Sequence, residues 1–221
     1  MNYEFLLKKM FFHIIKQELA INLKNLSNLA HCLIFFLITT SIFAITTNVF
    51  GAEIAIAIIW ICLIFSILLS SNGQFQKDFE DGTFEQLYLS GYVFELIILA
   101  KIVANWLFNV LPLILFLPII AVILKVPGNV ISDLILIALI TSLLINFLVS
   151  FGASLTLSAN STSALLTILV LPLLIPTIIF ANSGIGSDFT ASIKLLVSLV
   201  VFLIPILTFT TALAVKINIT D

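Results

Sequence analysis

The chain contains no arginine, and all nine of its basic residues are lysines. It therefore lacks the planar fork that binds phosphate or carboxylate through two parallel hydrogen bonds. Charge of either sign is scarce, at 9% of residues, against about 25% in soluble domains. With a net charge of −2, no nucleic-acid partner is expected. The two cysteines, Cys32 and Cys62, stand inside apolar runs, and neither CxxC nor CxxCH occurs. Disulfide, zinc and covalent haem readings thus lose their usual sequence support. The only histidines, His13 and His31, read as interfacial polar residues rather than axial ligands. The eight glycines are scattered, and no Gly-x-x-x-x-Gly-Lys-Ser/Thr run is present. The chain accordingly has no phosphate cradle of its own. Catalytic residues, resident metals and directly bound cofactors are not expected.

What remains is apolar. Hydrophobic residues make up 62% of the 221, with a mean hydropathy of +1.29. A helix needs about 20 mostly apolar residues to cross a bilayer, and this chain carries such runs back to back. Short alternating segments, the mark of a membrane β-barrel, are not visible. The expected fold is an all-α integral membrane protein of six transmembrane helices, at about 30–50, 54–72, 93–122, 133–157, 163–182 and 191–214. No stretch reads as a cleavable signal.

Residues 1–28 precede the first span. Phe5, Phe12, Ile15, Leu19, Leu23 and Leu26 recur at helical spacing, while Lys9, His13 and Lys16 fall on another face. This pattern predicts an amphipathic interfacial helix lying on the bilayer surface, followed by the transmembrane domain over 29–221. Lysine counting orients the spans. Lys8, Lys9, Lys16, Lys24, Lys77, Lys101 and Lys216 fall on the side of the N-terminus, against Lys125 and Lys194 on the other. Both termini are expected in the cytoplasm.

One connection differs from the rest. Segment 72–92, NGQFQKDFEDGTFEQLYLSGY, holds Asp78, Glu80, Asp81 and Glu85 against Lys77 alone. Phe75 and Phe79 would share a helical face continuing the second span. Asp81-Gly82 reads as a helix stop. Thr83, with Gln86 three residues on, fits a capping box that opens a second short helix, to which Phe84, Leu87 and Tyr88 give an apolar side. Such a helix, held between two spans, can dock in a partner's groove, with the carboxylates steering a basic rim. It can equally be a solvated loop folded back on its own helix ends. Asn105, Asn109 and Asn146 lie inside spans, where hydrogen bonding between helices is the expected role. Lys101 is expected to snorkel to the headgroups. Prolines 112, 118, 172, 176 and 205 predict kinks.

Gln76-x-Asp78-x-x-Asp81-Gly82-x-x-Glu85-Gln86-Leu87, then Ala100-Lys101 and Trp106, resembles the haem exporter protein B (CcmB) family. Ile58-Ile59-Trp60, the stretch from Leu169 to Pro176, and Thr211-Ala212-Leu213-Ala214 extend the resemblance over nearly the whole chain. It departs from the family pattern at Ser71, Asn72 and Gly73, and at Gly91. The resemblance implies an ABC exporter permease-like fold, with 72–92 as the segment coupled to a separate ATPase. Gln76, Asp78, Asp81, Gly82, Glu85, Gln86 and Leu87 would form the coupling surface. The implied partners are the ABC ATPase CcmA, which carries ATP, the haem-handling membrane subunit CcmC, the small membrane subunit CcmD and the haem chaperone CcmE. Haem would sit on a partner rather than here. Two copies per complex in the bacterial inner membrane are implied, with the mitochondrial inner membrane as the alternative setting. The function implied is a permease subunit in cytochrome c maturation; the alternative is an ABC exporter of lipid or drug. A membrane enzyme or proton-coupled carrier would need clusters of intramembrane ionisable residues, which this sequence does not show.

Overall fold

The computed structural model describes residues 3–24, 26–46, 51–71, 73–157, 162–183, 185 and 189–220. The expected connections at 47–50, 158–161 and 186–188, and Asn72 in the charged segment, lie outside those residues. Every regular element among the described residues is helical. In order they are α1 (Tyr3–Lys24), α2 (Ser27–Thr46), α3 (Ala52–Ser70), α4 (Gln76–Glu80), α5 (Thr83–Leu89), α6 (Phe94–Asn105), a π-helical turn (Trp106–Val110), α7 (Leu111–Ile123), α8 (Gly128–Leu155), α9 (Thr162–Ser183) and α10 (Phe189–Thr220).

Among the described residues, five helical stretches are long and apolar enough to cross a bilayer: Ser27–Ile45, Ala52–Ser70, Phe94–Ile123, Gly128–Leu155 and Phe189–Thr220. A shorter apolar stretch, Ile168–Ser183, lies within α9. At 22 residues and 1.5 Å per residue, α9 is about 33 Å long, enough for the roughly 30 Å hydrocarbon core. The last helix runs well past the expected span, from Phe189 to Thr220.

Helix α8 is the hub. It packs against α3, α6, α7, α9 and α10, and its buried positions include Ser142, Ser150, Gly152, Ala153 and Ser154. Small residues let helix backbones approach closely where lipid removes the hydrophobic drive between helices. Outward lie Ile38, Ile42, Leu115, Ile119, Val201 and Phe202. So large an apolar exterior suits contact with lipid rather than water.

Span three is not one continuous α-helix. Pro112 stands second in α7, has no N–H to donate and would crowd the carbonyl one turn back. The turn before it widens, and the Leu111 N–H donates to the Trp106 carbonyl, five residues back. Such π-turns interrupt α-helices at single places. Here the turn carries Asn109 and Trp106.

Helix α1 forms as expected, with one side toward the bundle and another outward. Phe11, Ile14, Ile15, Glu18 and Leu19 face the bundle, while Phe12 and Leu23 are exposed beside Lys9, His13 and Lys16. At 100° per residue the bundle side lies roughly a quarter turn from the apolar stripe, which leaves Phe12 and Leu23 for lipid. Glu18, on the bundle side, pairs with Lys101, the one lysine buried among the described residues.

Candidate functional site

The charged connection folds as two short helices at a tight turn. Asp81 N–H donates to the Lys77 carbonyl at 2.9 Å and Gly82 N–H to Phe79 at 3.3 Å, which closes α4. Gly82 then takes φ +68°, ψ +15°, the left-handed region where a side chain costs about 1–2 kcal/mol. A Cβ at this position would also meet a Glu85 carboxylate oxygen at 3.1 Å. The expected capping box does not form. Gly82, not Thr83, is the capping residue of α5, and no side chain caps that helix. The left-handed turn already carries the chain into α5, which moves Thr83 one position inside the helix.

The apolar side of α5 is taken in part, with Leu87 half-buried and Tyr88 exposed. Phe84 is fully buried, and its ring lies 6.0 Å from Phe75 and 6.2 Å from Phe94, with Tyr88 5.8 Å from Phe94. This aromatic row roots the turn in the bundle, and each such pair adds about 0.5–1.5 kcal/mol beyond its burial. Phe84 is therefore not offered to a partner's groove. What faces outward is Lys77, Glu80, Asp81, Gln86 and Leu89, the last 82% exposed.

Beneath the turn lies an ion cluster. Lys101, buried in α6, donates to Asp78 of α4 at 2.9 Å and to Glu18 of α1. Its ammonium also stands 5.7 Å from the centre of the Phe84 ring. Snorkelling to the headgroups is thus replaced by pairing within the protein. The cluster ties α1, the charged turn and span three at one point. An ammonium so buried is tolerable only because two carboxylates and a π-face take the place of its water.

Deeper along the same span, amides link helices. Asn105 Nδ2 donates to Asn146 Oδ1 at 3.0 Å, Asn109 Nδ2 to Asn105 Oδ1 at 2.6 Å, and Asn146 Nδ2 to the Ile102 carbonyl at 3.1 Å. Trp106 Nε1 donates to Ser142 at 3.2 Å, and Ser150 to Gln74 at 3.0 Å. Asn105 and Asn146 thus bond between helices, as expected, whereas Asn109 bonds within span three, to Asn105 one turn back.

The seven residues singled out in the sequence divide by environment. Asp78 belongs to the ion cluster, Gly82 makes the turn, and Leu87 packs against the core. Gln76 is engaged by Glu80 at 2.8 Å. Glu85 is half-buried, with one carboxylate oxygen lacking a partner, whereas Asp81 and Gln86 are exposed. Glu18 was missed, although it was legible in one respect. It stands among apolar residues on α1, while Lys101 stands inside an apolar span, and an intramembrane charge calls for a partner.

At the same end, Lys216 of α10 lies 4.9 Å from the Tyr88 ring, and Asn218 reaches the Ser154 carbonyl at 3.4 Å. The N-terminal helix, the charged turn and the C-terminal end of α10 thus gather at one end of the bundle. Among the described residues no three His, Cys, Asp or Glu side chains are placed to hold a metal ion.

A family model described as CcmB protein matches residues 9–218. The chain belongs to the CcmB family. Individual members are moderately similar. "Heme exporter protein B" of Pseudomonas aeruginosa is 32% identical over 136 residues, covering 59% of this chain and 60% of that one. The protein of the same name from Haemophilus influenzae is 37% identical over 129 residues, 57% and 58% of the two chains. That of Escherichia coli is 34% identical over 109 residues, 48% and 50%. The aligned stretches therefore span between half and three-fifths of these CcmB relatives' own lengths. The charged turn and the Lys101 cluster lie inside the family match.

Proposed function

We propose that this chain is the membrane subunit of an ABC transporter acting in haem export and cytochrome c maturation. It couples ATP hydrolysis on a separate subunit to handling of haem or to release of the haem-loaded chaperone. Family membership supports the system, and the names of the relatives supply the word haem. The observation that carries the coupling role is the rooted turn at 73–92. Its outward face is charged and exposed, while its inner face is fixed to span three and α1 through Asp78, Lys101 and Glu18. A push on α4 and α5 would reach two other helices without passing through a flexible joint.

The chain performs no catalysis in this reading. ATP is bound by a CcmA-type ATPase docked against the residues from Gln76 to Leu87 and the adjoining Leu89, with Asp81, Gln86 and Leu89 in direct contact. CcmC- and CcmD-type membrane subunits and the chaperone CcmE complete the assembly, with two copies of this chain per complex. The bundle sits in the bacterial inner membrane. The end carrying the turn and both termini faces the cytoplasm, as the lysine bias favours.

The test is co-purification followed by nucleotide-driven release. The chain is expected to hold a CcmA-type ATPase and a haem-handling subunit. Gly82→Pro and Glu85→Lys are expected to slow ATP-dependent release of the haem-loaded chaperone at least about tenfold, the equivalent of about 1.4 kcal/mol in the coupled step. Wild-type rates in both variants would remove the turn from the mechanism. Capture of an unrelated ATPase, without haem-handling partners, would point instead to export of a lipid or drug.

A further inference from the structure

Beneath α1 and beside the charged turn lies a cavity of about 450 Å³. Ile21 of α1 stands exposed on its wall, Gln74 and Asp78 line one side, and Lys101, Asn105 and Asn109 line the span-three side. The wall therefore grades from exposed to buried, ending at Asn109, which is 2% exposed. Two polar atoms of residues lining this wall have no partner in the protein, and both are themselves buried just behind it: Asn109 Oδ1, an acceptor, and Gln74 Nε2, a donor. The other end of each amide is engaged, because Asn109 Nδ2 donates to Asn105 and Gln74 Oε1 accepts from Ser150. Neither can turn to satisfy itself without breaking a bond already made.

A buried amide left unpaired is unfavourable, and large polar cavities with unmet donors and acceptors hold water. At about 30 Å³ per liquid water, this cavity has room for on the order of ten. Along span three the cavity follows the helix from Lys101 to Asn109, about 12 Å at 1.5 Å per residue, and Asn109 stands midway along that span.

We propose that this cavity is a water-filled vestibule within a single chain. It opens at the end bearing the charged turn, passes the Lys101 cluster and reaches Asn109 in the middle of the bundle. Water lies against the wall at Gln74 and Asn109, and a small shift of either side chain brings it to the unpartnered atom. The asparagine ladder is thereby in contact with solvent, and the dry barrier behind it is reduced to the remaining half of the span. Small hydrophilic groups reach mid-bundle by this route. The inference needs no partner protein and stands or falls apart from the transport reading.

The test is thiol accessibility in the full chain in its membrane, using a small water-soluble methanethiosulfonate reagent. The native Cys32 and Cys62 are buried, and the unsubstituted chain gives the background. Asn109→Cys is expected to react within about tenfold of the exposed control Ser90→Cys. Ser66→Cys, a fully buried position outside the cavity wall, is expected to react more than about a hundredfold more slowly, since a thiol reacts as the solvated thiolate. Asn105→Cys gives the same reading should Asn109→Cys fail to fold. Ile21→Trp, which narrows the wall, is expected to slow Asn109→Cys at least about fivefold and leave Ser90→Cys unchanged. Two results would overturn the proposal: reaction at both asparagine positions as slow as at Ser66→Cys, or reaction indifferent to Ile21→Trp.

Discussion

Replacing Lys101 by Met tests the cluster most directly, because it removes the ammonium and keeps the stem. The Lys101 side chain is 5% exposed, against 20% for Glu18 and 25% for Asp78. The substitution leaves two carboxylates facing each other with no cation between them. Breaking a fully buried pair by removing one partner costs about 3–5 kcal/mol. Here both carboxylates retain some water, so the expected loss is about 2–3 kcal/mol. For a chain of this size that corresponds to a fall in Tm of about 4–12 °C. Thermal unfolding in detergent measures it, with tight-binding lipid held constant. The decisive comparison is the triple variant Lys101→Met, Glu18→Gln, Asp78→Asn. With no uncompensated charge left, it should recover to within about 1 kcal/mol of the parent, a strongly non-additive outcome. If the single variant melts with the parent, or the triple variant is as unstable as the single one, the cluster does not hold the three helices together.

At the turn, Gly82→Ala should lose about 1–2 kcal/mol from its left-handed backbone alone, whereas Gly82→Asn should lose less than half of that; equal losses in a melting series would mean that the turn relaxes. The two ends of α5 should behave oppositely. Phe84→Ala, which empties a fully buried aromatic site, should cost about 3–5 kcal/mol of stability. Leu89→Ala should stay within about 0.5 kcal/mol yet weaken binding of the ATPase subunit in a pull-down titration.

The family resemblance was legible in the turn motif, while much of the geometry around it was not. The helix stop at Asp81-Gly82 follows from local chemistry, since glycine alone enters the left-handed region freely. The capping box at Thr83 and Gln86 failed although its spacing was correct. Local spacing cannot tell whether the preceding residue has already completed the turn. The three asparagines announced hydrogen bonds because an amide inside an apolar run needs a partner, but not which partner. Span three reads as a single apolar run, and only its backbone reveals the π-turn ahead of Pro112.

The sequence by itself determined the helical membrane architecture, because twenty-residue apolar runs leave the backbone no other way to satisfy its hydrogen bonds in lipid. It also determined that acidic residues would be densest in one connection, at Asp78, Glu80, Asp81 and Glu85. The tertiary structure alone decided that Glu18 and Lys101, 83 residues apart, meet with Asp78. It likewise decided which side of α1 meets the bundle, through Phe11, Ile14 and Glu18, and that Phe84 is a root rather than a docking surface. Periodicity records which side of a helix is apolar. Which side faces the bundle depends on every helix packed against it, and on α1 that side includes Glu18, paired with Lys101.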